Sequence, residues 1–295
     1  MTPPSTFSAV LVTVGAALLL GGYGVLVREL IDADGANAAI IIVFAAAAIS
    51  SIVGFAFSGI CGPMLTLLDL DPVQMVQLMA VSSIALQGCG AWAFRRHIDL
   101  KRLLPLTLGG LSTLPIGVLL LVALSKALIS VALGAVLFIV AIWIWRRHES
   151  RPACRESWLR HIIAGATGGL TGGLIAFPGA FVAPWLSTLG WAKERQRGTV
   201  QAFIVVMQIA ALALIALESH GGAAQGVLDP IALACVPPAL LGLALGVRFF
   251  SFLTDAQFKR FVAVVLLFAA MGLMMTGAQS VAWATPQNLL AADHG

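Results

Sequence analysis

Long apolar segments recur along almost the whole chain, and short polar segments separate them. Most have about the 20 residues that a helix needs to cross the hydrocarbon core of a membrane. This pattern predicts an all-α polytopic membrane protein in which every apolar segment is helical. The segments are 7–27, 38–68, 73–94, 103–124, 127–145, 159–190, 199–217, 228–252 and 258–276.

Two of these segments, 38–68 and 159–190, are too long for one span and too short for two. Both are also interrupted by glycine and proline, which a plain span does not need. Backbone groups freed by a broken helix cannot face lipid, so they must be buried in protein or line a cavity. We therefore expect both segments to be broken helices near a functional site.

The glycines of the second segment have a regular spacing. Gly165, Gly169 and Gly173 recur every four residues, which forms a smooth helical stripe that another backbone can approach closely. Pro178 then removes a backbone donor, so we expect the helix to break there. The first segment has small residues at the same spacing, followed by Pro63: Ser50, Gly54, Ser58 and Gly62.

Two copies of one unit can be recognised in the chain. The sequence that starts at Pro63 (PMLTLL) aligns with the one that starts at Pro184 (PWLSTL) at an offset of 121 residues. The same offset carries Gln87 onto Gln208, in the helix that follows each broken segment. Internal repeats are common in secondary transporters. The predicted organisation is an N-terminal span and loop (1–37), a first repeat (38–145), a cytoplasmic linker (146–158), a second repeat (159–276) and a tail (277–295).

The basic residues predict the orientation of the spans. If both broken segments enter the membrane and return to the same side, 15 of the 17 Lys and Arg residues are cytoplasmic, against 10 of 17 if each crosses once. The re-entrant topology makes the two repeats inverted copies and puts the C-terminus outside the cytoplasm. No Lys or Arg precedes the first apolar segment, so we interpret it as a retained span and not as a cleaved signal peptide.

Composition agrees with the membrane class and excludes several others. Hydrophobic residues make up 60% of the 295 residues, charged residues 10%, and the mean hydropathy is +0.99. No soluble domain fits between the apolar segments, so the net charge of +4 does not indicate a nucleic-acid partner. The chain has no GxxxxGK or HExxH motif, and its four cysteines lack metal-ligand spacing. We expect no catalytic residues, no metal and no cofactor.

The predicted spans contain no deep Asp, Glu, Lys or Arg. Cation and proton pathways usually need carboxylates at the middle of the membrane, whereas glycine amides and half-helix N-termini present positive partial charge, which suits an anion. We therefore predict a site for a small anionic substrate at the broken helices. The candidate substrate-binding residues are Ser58, Gly59, Cys61, Gly62, Pro63, Ser83, Gln87, Pro178, Gly179, Gln201 and Gln208.

Each candidate also has a structural interpretation. Small residues at helix contacts commonly serve packing, and Gln87 and Gln208 could bond across helices without touching a substrate. Arg195 and Arg197 fit ordinary cytoplasmic residues, and they could instead form an electropositive mouth that gathers anions.

The pattern of motifs resembles a known family. A Gly-rich stretch that ends in Pro-x-Leu opens each half, a helix with scattered polar residues follows, and the first half continues with RRHIDLK (95–101) before LPLTLGG (104–110). This arrangement is similar to the sulfite exporter TauE/SafE family of membrane permeases, also called TSUP, over 38–276. The chain departs from the family's denser glycine cluster at FSGICG (57–62).

The resemblance implies a secondary transporter, often an exporter, for sulfite, sulfoacetate or other organosulfonates. We expect a multi-pass protein of the bacterial inner membrane that contacts lipid. A passive anion channel is the alternative, and a non-transporting scaffold is disfavoured because it gains nothing from exposed backbone at mid-membrane. The sequence leaves the oligomeric state open, and a homo-oligomer is compatible with it.

Overall fold

A computed structural model describes residues 36–65, 68, 70–146, 156–219, 230–250, 264, 266–268, 270–275 and 277. The predicted span 7–27 and almost all of the tail lie outside these residues. The described residues from 264 to 277 are helical, as are ten named elements and a 3₁₀ turn at Arg95–His97. The ten are α1 Ala36–Val53, α2 Phe57–Leu65, α3 Pro72–Ala93, α4 Leu100–Ala123, α5 Lys126–Arg146, α6 Trp158–Ile175, α7 Gly179–Ser187, α8 Lys193–Ser219, α9 Pro230–Ala234 and α10 Val236–Phe250.

Four helical stretches in the described part are long and apolar enough to cross a membrane: Val73–Ala93, Leu100–Leu121, Glu194–Leu217 and Pro230–Arg248. Large apolar side chains on these helices are exposed, among them Leu100 and Leu217 at 72% and 70%. Lipid covers such side chains in a membrane protein. The fold is therefore that of a polytopic helical membrane protein, as the hydrophobic pattern predicts.

Aspartates fix where two of the long helices begin. Asp71 precedes α3, and its carboxylate accepts a hydrogen bond from the amide of Val73 at 2.9 Å. Asp99 precedes α4 in the same way and accepts from the amide of Arg102 at 3.2 Å. Both side chains satisfy amides that a helix start leaves without an acceptor.

The glycine stripe of α6 lies directly against α4. A Cβ atom added at Gly165 or Gly169 would lie 1.9 Å from a backbone oxygen of α4, that of Leu106 or Gly110. At Gly173 the distance to the Leu114 oxygen would be 2.5 Å. No larger residue fits at these positions, so the four-residue spacing has the role in helix contact that the sequence predicts.

A second close helix contact joins α1 and α10. Here the glycines belong to α10: a Cβ at Gly242 would lie 2.5 Å from the Phe44 oxygen, and one at Gly246 would lie 2.2 Å from the Ala48 oxygen. The first helix of each predicted half thus packs along a long helix of the other half.

Both long segments are broken, and each break passes through a residue of positive φ. Helix α1 ends at Val53, and Gly54 follows with φ +90° before α2 begins. Helix α6 ends at Ile175, and Ala176 follows with φ +53° before Pro178 and α7. The second break lies where Pro178 predicts it.

The first break does not lie at the proline. It spans residues 54–56, whereas Pro63 lies inside α2, as its repeat equivalent Pro184 lies inside α7. Glycine reaches positive φ without steric cost, and Gly54 therefore breaks this segment.

Candidate functional site

The two breaks lie against each other inside the protein. A Cβ at Gly59, in the first turn of α2, would lie 2.7 Å from the Phe177 ring of the second break. A Cβ at Gly179, the first residue of α7, would lie 3.4 Å from the Phe55 oxygen of the first break. Both glycines are buried, and Phe177 is 1% exposed. The absence of a side chain at Gly59 leaves room for the Phe177 ring, and Gly179 lies at ordinary contact distance from the first break.

An apolar cluster surrounds this meeting point. Ala56, Phe177 and Ala180, from both breaks, pack with Leu137 of α5 and with Leu266. This packing excludes water around the breaks, and electrostatic interactions are stronger where water is excluded.

Two buried glutamines of α8 hold the helix ends at the breaks. The Nε2 atom of Gln201 donates to the Gly54 oxygen at 3.2 Å, and that of Gln208 donates to the Ala176 oxygen at 3.2 Å. These oxygens belong to the positive-φ residues, where a helix end leaves carbonyls without a donor. Gln201 and Gln208 are 2% and 1% exposed. Each uses an amide proton to complete a broken helix.

The side-chain amide nitrogens of both glutamines are hydrogen-bonded, but their side-chain oxygens are not. The Oε1 atoms of Gln201 and Gln208 are buried and have no hydrogen-bond partner among the described residues. A buried acceptor without a donor costs free energy unless a ligand or water satisfies it.

Helix α3 contributes a further polar face. Gln87 is 4% exposed and Ser83 is 2% exposed, and no hydrogen bond of the Gln87 side chain occurs within the described ranges. Gly90, one turn beyond Gln87, lies against the Gln201 amide: a Cβ there would be 2.4 Å from its Nε2. Gln87 is therefore one helical turn along α3 from the residue that contacts the Gln201 side-chain amide, which itself bonds to Gly54 in the first break.

The remaining predicted residues of α2 face apolar surroundings. Cys61 is fully buried in an apolar cluster with Ala39 and Val43. A Cβ at Gly62 would meet Met79 of α3 at 3.5 Å, and Pro63 packs against Gly272. Ser58, which is 6% exposed, is in the first turn with Gly59, beside the meeting point. The meeting point thus includes Gly59, Pro178 and Gly179, with Ser58 beside them, and Gly62 and Pro63 contact other helices.

Helix α7 begins without a side-chain cap. Pro178 precedes it and provides no capping side chain, and the Ala180 amide bonds only weakly to the Phe177 oxygen, at 3.3 Å. The first amides of a helix lack intrahelical acceptors and point along the positive end of the helix dipole. This end of α7 can accept a negatively charged group.

Arg197 is a partly buried cation beside the first break. Its Nη2 atom donates to the Ser51 oxygen at 3.0 Å, and a Cβ at Gly54 would lie 2.9 Å from its Nε. Its guanidinium carbon lies 5.5 Å from the centre of the Phe94 ring. A cation at the C-terminal end of α1 complements the negative end of that helix dipole. The charge pattern alone interprets Arg197 as a cytoplasmic residue or as part of an electropositive mouth, and it does not predict the contact with the first break.

A helical periodicity in α8 could have identified Arg197. Arg197, Gln201, Ile204 and Gln208 follow the spacing i, i+4, i+7 and i+11, which places them on one face. Arg197 and Gln201 contact the first break, Ile204 contacts Gly179, and Gln208 contacts the second break. One face of α8 therefore contacts both breaks.

Polar contacts join the starts of α4, α6 and α8 at one end of the protein. Arg195 forms an ion pair with Asp99, with its Nε 3.1 Å from the carboxylate, and its guanidinium lies 4.0 Å from the centre of the Trp191 ring. Glu156 accepts from the Trp191 indole at 2.6 Å and pairs with Arg102 at 2.5 Å. The residues just before α6 and just before α8 are thus in direct contact.

Asp99 is the charged centre of these contacts. Partial burial by itself raises the pKa of its carboxyl, but hydrogen bonds from the Arg195 side chain and the Arg102 amide outweigh burial and lower the pKa below its ordinary value. The amide of Asp99 also donates to the Thr199 hydroxyl at 3.1 Å. Asp99 therefore remains ionised at neutral pH and fixes the start of α8 to the start of α4.

Broken helices that meet inside a polytopic bundle, with polar side chains around them, are common in membrane proteins that move small solutes across the bilayer. The sequence model of the family described as "Sulfite exporter TauE/SafE" matches residues 39–273. The chain belongs to this family of membrane transporters, as its motifs indicate. No curated protein and no solved structure matches the chain.

Proposed function

We propose that the protein is a secondary transporter of small sulfur-containing or organic anions, such as sulfite, sulfoacetate or other organosulfonates, in the bacterial inner membrane. The observation that carries this proposal is the meeting of the two breaks, with Gly59 against Phe177 and Gly179 against the Phe55 oxygen. Transporters of this architecture bind substrate where half-helix ends converge near the middle of the membrane.

The helix pairing supports inverted repeats. The offset of 121 that relates the two halves carries Phe44 onto Gly165 and Ala48 onto Gly169. These four residues form the two close helix contacts, with α10 for the first pair and with α4 for the second. In each contact, the first helix of one predicted half packs against a helix of the other half. This reciprocal packing is the pattern expected around a pseudo-two-fold axis.

The contacts of Glu156 support a re-entrant second segment. Glu156 precedes α6 and bonds to Trp191, which precedes α8, so the two ends of α6–α7 are in contact. A segment that crossed the membrane once would have its ends about 30 Å apart. The same topology is proposed for α1–α2.

The charge distribution supports an anion as substrate. The uncapped start of α7 and the first turn of α2, with Ser58 and Gly59, present amide groups, and Arg197 adds a full positive charge beside the first break. Gln208 already donates to the backbone, whereas Gln87 has no bond within the described residues. We assign substrate contact first to Gln87, and helix bracing to Gln208.

Substitution of the two glutamines tests this assignment. Gln87→Leu should weaken anion affinity about ten- to a hundred-fold, because a hydrogen bond to a charged group is worth roughly 1.5–3 kcal/mol, and it should leave the melting temperature nearly unchanged. Gln208→Leu is the matched variant and should lower the melting temperature. Thermal shift with sulfite, sulfoacetate and isethionate measures both quantities, since a ligand of the folded state raises the melting point. Normal affinity in a folded Gln87→Leu protein would refute the assignment.

Flux measurements separate a carrier from the alternative, a passive anion channel. Proteoliposomes loaded with unlabelled anion should take up labelled anion faster than empty ones, because a carrier exchanges substrate across the membrane. Uptake that rises linearly with concentration and ignores the internal anion would establish the channel instead.

A further inference from the structure

A cleft of about 460 Å³ opens at the start of α4, separate from the breaks. Four basic residues are among those that line it: Arg96, His97, Lys101 and Arg195. Its one carboxylate, Asp99, is already paired with Arg195. The charge of the cleft is therefore positive and suits an anionic ligand.

An apolar stripe begins at the same cleft. Leu100 lines the cleft and is 72% exposed, and Leu104, Leu108 and Leu111 continue along the same face of α4 at 58%, 48% and 41% exposed. Their spacing of four, four and three residues keeps them on one side of the helix. Because α4 is a candidate membrane span, this stripe runs from the basic cleft into the hydrocarbon region.

An aromatic residue marks the same level of the membrane. Trp92 is 68% exposed, and the Arg95 guanidinium lies 4.6 Å from the centre of its ring. Exposed tryptophan is typical of the boundary between headgroups and hydrocarbon. The cleft is thus at headgroup depth, with an acyl-chain surface directly below it.

We propose that this cleft binds the headgroup of an anionic phospholipid, with Arg96 and Lys101 at the phosphate and the acyl chains along Leu104, Leu108 and Leu111. Basic pockets next to membrane-spanning helices recognise such headgroups. A free phosphate would use the basic residues alone, whereas a lipid also needs the leucine stripe. The continuity of the two surfaces favours the lipid.

Native mass spectrometry of delipidated protein tests the proposal, with phosphatidylglycerol, phosphatidylcholine and inorganic phosphate as probes. Phosphatidylglycerol should bind most tightly, and the double variant Arg96→Gln/Lys101→Gln should bind it about thirty-fold more weakly, at about 1 kcal/mol for each basic residue. The matched control Arg146→Gln/Arg248→Gln also removes two cations, and neither lines the cleft; it should change binding less than three-fold.

A second variant separates the lipid from its phosphate. Leu104→Gln/Leu108→Gln should weaken phosphatidylglycerol and leave inorganic phosphate unaffected. The proposal is overturned if phosphatidylcholine binds as well as phosphatidylglycerol, if the control variant loses as much affinity as the cleft variant, or if inorganic phosphate alone binds as tightly as the lipid. Retention of the lipid by both cleft and stripe variants would also overturn it.

Discussion

The two breaks have similar backbone geometry, but different contacts hold them. The second is fixed mainly within its own segment: the Thr171 hydroxyl donates to the Phe177 oxygen at 3.0 Å, and the Phe177 amide donates to the Thr171 oxygen at 3.2 Å. In the first, the Gly54 amide donates to the Ser50 oxygen at 2.6 Å, but the Ser50 hydroxyl, at the position equivalent to Thr171, donates to Ala47 within α1 and not across the break.

Side chains of α8 provide further bonds to the first break. Gln201 and Arg197, both on α8, bond to the backbone oxygens of Gly54 and Ser51. A displacement of α8 relative to α1 must therefore break these bonds, whereas the contacts inside the second break can persist. We expect the first break to be the one whose structure depends on the position of α8.

Among these predictions, substitution of the positive-φ residue in the first break should have the largest effect on stability. Gly54→Ala introduces a side chain at φ +90°, with its Cβ 2.9 Å from the Arg197 Nε. We expect a loss of about 1–3 kcal/mol in the free energy of unfolding. The control, Ala176→Gly, relieves a left-handed alanine and should change stability by less than about 1 kcal/mol. Thermal unfolding in one detergent compares both, and equal losses would contradict the strain at Gly54.

Removal of one side-chain hydrogen bond from each break should give a smaller loss of stability, confined to the segment that loses the bond. Gln201→Leu should loosen α1–α2, and Thr171→Val should loosen α6–α7, each by about 1 kcal/mol for a buried acceptor left without a donor. Hydrogen exchange should then rise about five-fold in the affected segment alone. Faster hydrogen exchange in α6–α7 of the Gln201→Leu variant, with exchange in α1–α2 unchanged, would contradict the conclusion that Gln201 holds the first break.

The smallest expected effect on stability comes from the ion pair between Asp99 and Arg195 at the start of α8. The pKa of Asp99 is lowered in the folded protein, so its stabilising contribution is present above the unfolded pKa of about 3.9 and is lost as the pH falls through the lower folded value. The Arg195 side chain is 40% exposed, so solvent screening limits the ion pair to about 0.2–1 kcal/mol.

Asp99→Asn should therefore lower the melting temperature slightly at pH 7. This effect should shrink as the pH falls below about 4, where the unfolded chain becomes protonated, and should be lost below the lower pKa of the folded protein. A difference between variant and wild type that stays the same over this range would show that the charge of Asp99 does not contribute, because asparagine caps a helix about as well as aspartate.

The amino-acid sequence alone determines much of the architecture. Runs of about 20 apolar residues need a membrane and internally satisfied backbone, so the helical class follows directly. The four-residue spacing of Gly165, Gly169 and Gly173 predicts a close helix contact because 3.6 residues per turn put them on one face. The break at Pro178 follows from its missing donor.

Tertiary structure decides which groups meet. Pro63 remains inside α2 because surrounding protein tolerates a proline in a membrane helix, and the break moves to Gly54, which adopts the required φ. The bonds from Arg197 to Ser51 and from Gln201 to Gly54 join residues about 150 positions apart. No local preference encodes such contacts, because they depend on the packing of one face of α8 against both breaks.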